Sequence, residues 1–265
     1  MAKLLEKLFI FWAVVLILIA IAAHSQGAVL IDNYRYKAAV VTQTYLGAQL
    51  ISNDLGIGNP TFSAFNAGSN GIGAADATRQ IVVIIYSLGV VVNSAPASMT
   101  IGGVSASLLT STTNGTDNIG IRMYKASVPT GTTASIAVTW SDSQGARAYI
   151  QVYSVLNANT TVYNTATPDS TLSGELLSTT VNTIDGGSVI AGAYGRTSSG
   201  SPTWTWGNVT EDVEANMGGA YAAFGSTSAS LTPSTTTTLT VNNTQTGASS
   251  VANSQGLIAV SFQPL

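Results

Sequence analysis

The feature that most constrains the fold is a series of short runs rich in Val, Ile, Thr and Tyr, separated by clusters of Gly, Asn, Ser, Pro and Asp. No stretch beyond about Thr44 sustains the 3.6-residue apolar period of an amphipathic helix. Runs punctuated in this way are typical of β-strands. The sequence therefore predicts an all-β domain over 44–265. Its fifteen predicted strands are 44–51, 60–65, 79–87, 97–102, 104–111, 119–126, 133–140, 147–156, 176–182, 187–195, 203–206, 209–215, 218–225, 235–242 and 255–262.

The runs are of two kinds, and the difference predicts where each lies. Residues 81–86 (IVVIIY) and 188–194 (SVIAGAY) are apolar at nearly every position, which indicates strands covered on both faces. Residues 134–140 (ASIAVTW) and 238–244 (TLTVNNT) alternate apolar residues with hydroxyl or amide residues, which indicates one face in water.

A weak internal repeat divides the domain into halves of about 44–157 and 158–265. Corresponding segments lie 103 to 108 residues apart in the sequence. The matched positions are Ile101 with Trp206, Val104 with Val209, Pro129 with Pro233, Val138 with Val241, and Ile150 with Ile258. We therefore expect a two-sheet antiparallel β-sandwich, jelly-roll-like and with an internal duplication; similarity among ordinary sandwich strands is the alternative explanation of the repeat.

The N-terminus predicts a membrane-directed helix over 1–23. Sixteen uncharged apolar residues, Leu8 to Ala23, follow Lys3 and Lys7. That length lies between a signal-peptide core and a confident membrane span, so both an uncleaved anchor and a signal cleaved before Gln26 fit. Either interpretation exports the rest of the chain, and 24–43 is predicted to be a linker or stalk.

Charge is scarce, and this excludes several functions. Only 8% of the residues are charged, against about 25% in typical soluble domains. Seven basic residues lie beyond residue 30, too few for a nucleic-acid surface. The chain has no Cys and a single His, His24, so thiolate, Ser-His-Asp and His-ligated metal chemistry are not expected. We predict no enzymatic activity, no cofactor and no metal site.

Two tryptophans give the candidate binding residues. Trp204 and Trp206 lie two positions apart on a predicted strand, so both project from one face, and Tyr221 joins them if its strand is a neighbour. A flat aromatic surface can stack on sugar rings, but large aromatics also fill cores rich in small residues. The acids Glu211 and Asp212 alternate faces on a strand, so we expect no calcium site there.

Several motifs resemble a β-sandwich domain found in structural proteins of tailed and marine bacteriophages. They are Arg79 before an all-apolar strand, T-I-G-G-V at 100–104, V-P-T-G-T at 128–132, and the segment from Trp204 to Asp212 that ends in T-E-D. The resemblance spans 44–265 and implies a fibre, decoration or spike protein with no catalytic residues. The basic and apolar N-terminus departs from that context.

The sequence thus favours a non-enzymatic virion structural or surface protein, anchored in a membrane by its N-terminal helix and presenting a β-sandwich for host attachment or particle assembly. Expected partners are the membrane, a host-surface glycan or receptor, and neighbouring virion subunits, including copies of the chain itself. The expected location is the virion surface, or otherwise the host cell envelope. The alternative is a carbohydrate-binding module tethered to a bacterial envelope.

Overall fold

The computed structural model describes eleven stretches of the chain. They are 39–52, 61–65, 71–89, 96–113, 119–140, 145–171, 176–197, 203–216, 223–231, 237–246 and 255–265. The predicted helix 1–23 and most of the predicted linker 24–43 lie outside these residues, and β1 begins at Thr42. None of the described stretches contains a helix suited by length and hydropathy to crossing a membrane.

Every element of the described chain is a β-strand, as predicted. The eighteen strands are β1 (Thr42–Ser52), β2 (Thr61–Phe65), β3 (Gln80–Gly89), β4 (Pro96–Ile101), β5 (Val104–Ser105), β6 (Ser107–Thr113), β7 (Ile119–Ser127), β8 (Ala134–Trp140), β9 (Gly145–Leu156), β10 (Asn164–Thr165), β11 (Asp169–Thr171), β12 (Leu176–Thr183), β13 (Ser188–Thr197), β14 (Thr203–Gly207), β15 (Thr210–Asn216), β16 (Ala223–Leu231), β17 (Thr237–Thr246) and β18 (Gln255–Phe262).

Within the described residues these strands form four antiparallel sheets, where the sequence predicted two. The first half of the chain forms inner sheet I (order β1-β9-β3-β7-β6) and outer sheet I (β2-β8-β4-β5). The second half forms inner sheet II (β10-β18-β13-β16-β15, with β11 also on β18) and outer sheet II (β12-β17-β14). The prediction of an antiparallel all-β fold is confirmed. The prediction of two sheets is wrong, because the described strands form four.

Three cores separate the four sheets. The two inner sheets share one core, to which Ile84 of β3 and Val260 of β18 belong. The other face of inner sheet I packs on outer sheet I, with Ile85 and Ile136 in a common core. The other face of inner sheet II packs on outer sheet II, with Val241 in that core. The layers therefore run outer I, inner I, inner II, outer II.

This layering explains the two kinds of strand. Every residue of 81–86 has an exposed fraction of 0%, because both faces of β3 meet another sheet. In contrast, β8 and β12 in the outer sheets bury every second residue and expose the others, which are mostly Ser, Thr or Asn. Strands that are apolar on both faces need cover on both sides, which a third and a fourth layer give here.

Candidate functional site

The β-domain has two distinct ends, and the backbone defines the first. The amide of Val41 donates to the carbonyl of Gly186 at 2.8 Å, and the amide of Leu265 donates to the carbonyl of Asn157 at 3.0 Å. The connection between the halves, beginning at Asn157, therefore lies beside both the start of the described chain and Leu265. We call this the junction end.

The opposite end, which we call the far end, is defined by strand direction. β1 runs away from the junction end to Ser52, which pairs with Arg147, and Leu88 of β3 pairs with the same residue. In inner sheet II, β13 and β18 meet at the far end in the pair Gly195 and Gln255.

A group of polar and aromatic side chains lies at the far end between inner sheet II and outer sheet II. In outer sheet II, Trp204 pairs with Gln245 and Trp206 pairs with Asn243 across the ladder between β14 and β17. Because paired residues and alternate residues share a face, all four side chains project toward inner sheet II. Gln255 of β18 completes the group, which we call the far-end cluster.

The far-end cluster is buried but poorly hydrogen-bonded. The exposed fraction is 1% for Asn243, 5% for Gln245, 2% for Gln255 and 4% for Trp204. Six of their polar atoms have no hydrogen-bond partner among the described residues: Trp204 Nε1, Asn243 Nδ2 and Oδ1, Gln245 Nε2 and Oε1, and Gln255 Oε1. Each buried polar atom left without a partner costs about 1–3 kcal/mol. Such atoms are nearly always paired, so their partners are ordered water, a ligand or residues outside the described stretches.

Gly195 makes room for this arrangement. A Cβ atom at Gly195 would lie 2.7 Å from Cη2 of Trp204 and 2.8 Å from Cδ of Gln245. Both side chains therefore pack directly against the backbone of β13, and a larger residue at 195 would displace them. No charged residue belongs to the cluster, so its chemistry is that of neutral amides and indoles.

The structure can be compared with the predicted binding residues one at a time. Trp204 and Trp206 project from one face, as the sequence indicated, and that face is directed inward. Trp204 is part of the core, while Trp206 is half-buried and packs against it. Tyr221 lies outside the described residues. A role in ligand binding stays a prediction for all three.

Sequence reasoning missed the amide side chains of the far-end cluster. Asn243 lies in the alternating run T-L-T-V-N-N-T, at a position where the alternation predicts an inward-facing residue. The sequence signal for this cluster was that Asn243, an amide, occupies a position where the alternation predicts an apolar residue.

Arg79 holds the most elaborate hydrogen-bond network, at the junction end. Its exposed fraction is 0%, and its guanidinium donates only to backbone carbonyls. These belong to Val128 (2.7 Å), Ile72 (3.4 Å), Gly73 (2.8 Å), Ala74 (2.6 Å), Thr130 (2.7 Å) and Gly131 (2.8 Å). With its donors committed to two loops, Arg79 has a structural role.

A groove of about 420 Å³ lies beside this network, between β1 and residues 72–76. Its carboxylate, Asp76, accepts hydrogen bonds from the amide (2.7 Å) and the hydroxyl (2.6 Å) of Thr78. These hydrogen bonds hold the pKa of Asp76 below its ordinary value. Asp76 is the one carboxylate among the described residues that line the groove.

The core between the inner sheets contains a second polar group, made of tyrosines. The hydroxyl of Tyr86 donates to Oε1 of Gln151 at 2.6 Å, and the hydroxyl of Tyr153 donates to Oδ2 of Asp212 at 3.0 Å. Burial raises the pKa of Tyr86 well above its ordinary value. Asp212 thus joins β15 to β9 across the two halves. Within the described residues no group of acids and histidines has the geometry of a metal site.

Comparison with known proteins does not identify a family. No family model matches the sequence, and no curated protein matches it. Among solved structures, a chain from the crystal structure of Cucumber Necrosis Virus aligns with 9% identity, covering 84% of this chain and 87% of that chain. The TM-score of 0.24 is too low to assign the fold or the function.

Proposed function

We propose that this chain is a non-enzymatic virion surface protein, anchored in a membrane by residues 1–23 and presenting the far end of its β-domain for host attachment or particle assembly. The opposition of the two ends carries the proposal. Residues 1–38 are joined to the domain at Ala39, beside the junction end. Because the chain enters the domain at this end, the far end is the part of the domain that the proposal assigns to contact.

The outer faces of the domain suit such a role. The strands of the outer sheets expose mainly hydroxyl and amide residues, as in β12, where Leu176, Ser178, Thr180 and Asn182 point to water. Neutral surfaces of this kind steer charged partners weakly and leave recognition to local contacts. The proposed partners are a host-surface glycan or receptor and neighbouring subunits of the particle, including further copies of the chain, with no role for nucleic acid.

Mass spectrometry of purified particles tests the location. The proposal predicts peptides of this chain in particles that have been separated from host membranes. Recovery in host membranes alone, with none in particles, would refute it. The most N-terminal peptide also shows whether the chain begins at Met1 or Gln26.

Single cysteines test the orientation, since the chain has none of its own. Thr205→Cys places an exposed thiol on β14, and Leu265→Cys places one at the junction end, where Leu265 has an exposed fraction of 61%. On intact particles, a bulky membrane-impermeant maleimide should label Thr205→Cys and leave Leu265→Cys largely unlabelled. Both thiols should react after detergent is added. Equal labelling of both on intact particles would contradict the proposed orientation.

A second candidate function is a carbohydrate-binding module tethered to a bacterial envelope. The far-end cluster favours it, because indole and amide side chains are the groups that neutral sugars contact. The particle experiment separates the two candidates, since this alternative predicts that the chain is found in the cell envelope and not in particles.

A further inference from the structure

We propose that the far-end cluster is a binding site for a neutral saccharide, with the amides of Asn243, Gln245 and Gln255 and the indole of Trp204 as its polar contacts. The site shares with the second candidate function the premise that the far end meets carbohydrate. It does not depend on whether the chain belongs to a particle or to an envelope.

The far-end cluster has hydrogen-bonding capacity that no described residue meets. Amides of Asn243 and Gln245 are at least nine-tenths buried, and neither their donor nor their acceptor atoms have partners in the described chain. Buried polar atoms in proteins are nearly always paired with protein, ordered water or a ligand. The proposal assigns this capacity to a partner with hydroxyl groups, which can both donate to and accept from these amides.

The groups in the cluster match the hydroxyl groups of a neutral sugar. A primary amide presents one donor group and one acceptor on the same plane, and neighbouring sugar hydroxyls present both functions as well. The indole N–H of Trp204 adds a donor, and the half-buried ring of Trp206 adds an apolar surface on the same face. The cluster contains no charge, so a neutral ligand fits it better than a phosphate, a carboxylate or a cation.

The fold does not require polar residues at the positions of the far-end cluster. The turn Gly102–Gly103 follows Ile101 in the first half, and Gly207–Asn208 follows Trp206 in the second. Met99 and Ile101 therefore occupy the positions equivalent to Trp204 and Trp206. Their ladder partners, Val138 and Ile136, are equivalent to Gln245 and Asn243. All four are buried in an apolar core. The polar residues of the second half are therefore a local addition.

Access to the cluster lies through β14. Among the described strands, β14 lies at the edge of outer sheet II and pairs only with β17. It carries both tryptophans, and the proposed site requires an outward shift of β14 to admit a sugar to the indoles and the facing amides. Edge strands can move in this way without breaking the central ladders of a sheet.

Binding is tested on the full-length protein in a detergent without a sugar headgroup. The probes are glucose, galactose, mannose and N-acetylglucosamine at about 50 mM, and saturation-transfer NMR reports contact with the sugar protons. The wild type should give a signal with at least one of them. Gln245→Leu should weaken that binding about tenfold or more, and Asn243→Leu and Gln255→Met, each with preserved thermal unfolding, provide independent tests.

The matched control lies in the first half. Val138 is the residue of the first half that is equivalent to Gln245, and it lies in an apolar core. Val138→Leu should therefore leave the sugar signal unchanged. No signal from any of the four sugars would overturn the site and leave ordered water as the occupant. A signal that survives all three amide variants would also overturn it, because the sugar would then bind elsewhere. Neither outcome bears on the particle experiment, which measures location only.

Discussion

The two halves of the chain have the same strand order but different interiors. Inner sheet I reads β1-β9-β3-β7-β6 and inner sheet II reads β10-β18-β13-β16-β15, while β2-β8-β4 in outer sheet I corresponds to β12-β17-β14 in outer sheet II. Each half thus builds the same pair of sheets in the same order along the chain. This agreement supports the internal duplication that the sequence repeat suggested.

The ladders also correct the residue matches within the repeat. Ala148 pairs with Ser87 in the first half, and Gln255 pairs with Gly195 in the second. This register matches Ile150 with Leu257, whereas the sequence matched it with Ile258. A shift of one residue moves a side chain to the opposite face, so the sequence match placed Ile150 in the wrong core. In the outer sheets the ladders match Val138 with Gln245, whereas the sequence matched it with Val241.

Each half is specialised at a different end. The first half has Arg79 organising two loops at the junction end, and the equivalent residue of the second half is Gly187. No side chain fits at 187, because a Cβ there would lie 2.9 Å from the carbonyl oxygen of Ile184. The second half has its polar cluster at the far end, where the equivalent positions of the first half, Met99, Ile101, Ile136 and Val138, are apolar. The common fold fixes which residues face inward, and it leaves open what those residues are.

The largest expected effect is the loss of Arg79, which tests the specialisation of the first half. Arg79→Met removes the hydrogen bonds of the guanidinium to the carbonyls of 72–74, 128, 130 and 131, and urea unfolding should show a loss of about 4 kcal/mol. Arg79→Lys should recover only part of it, since an ammonium cannot reach both loops as the guanidinium does. A loss of unfolding free energy below about 1 kcal/mol for Arg79→Met would show that the two loops keep their conformation without the guanidinium.

Exchanging one residue between the halves tests whether their interiors differ in kind. Ile136→Asn introduces the residue found at the equivalent position 243, without a site to receive it, and should destabilise the protein by about 3 kcal/mol. Asn243→Ile makes the reverse change and should raise stability by about 1 kcal/mol in the absence of ligand. Both are measured by urea unfolding. Equal destabilisation by the two variants would mean that the amide of Asn243 is satisfied internally.

The interface between the halves is tested at Gly192, which is equivalent to Ile84. A Cβ at Gly192 would lie 2.9 Å from both Cδ1 of Ile121 and the hydroxyl of Tyr86, and 3.1 Å from Cγ2 of Ile84. Gly192→Ala should therefore cost about 2 kcal/mol through overpacking. Combined with Ile84→Ala, the cost should be smaller than the sum of the single effects, and additive costs within about 0.5 kcal/mol would contradict this contact.

Much of this architecture could be predicted from sequence periodicity. The apolar run 81–86 indicated a strand buried on both faces, and the alternating run 134–140 indicated an outer strand; both predictions are confirmed. Of the strand predicted at 218–225, residues 218–222 lie outside the described stretches; the described strand β16 continues past 225 to Leu231, because pairing with β13 includes the polar run S-T-S-A-S. Tertiary pairing there outweighed local hydrophobicity.

The candidate site was less accessible to sequence reasoning. Trp204 and Trp206 stood out by residue type, and their shared face follows from their spacing. Gln255 lies far from them in the sequence and reaches the cluster only because β18 is the neighbour of β13. Such convergence depends on strand order, which periodicity does not contain.

The smallest expected effect concerns Asp76, whose hydrogen bonds belong to the loop that Arg79 organises. Its pKa is lowered in the folded protein, by the hydrogen bonds from Thr78 first and by the charge of Arg79 to a lesser degree. A lowered folded pKa means that the stabilisation is present above the ordinary carboxyl pKa of about 3.9 and is lost as the pH falls through the lowered value. Asp76→Asn keeps an acceptor for Thr78 and removes the titration. The melting temperature of the wild type should exceed that of Asp76→Asn at neutral pH, and the two should converge between about pH 5 and pH 2. A difference that stays constant down to the acid limit would show that the charge of Asp76 contributes nothing to the stability of these loops.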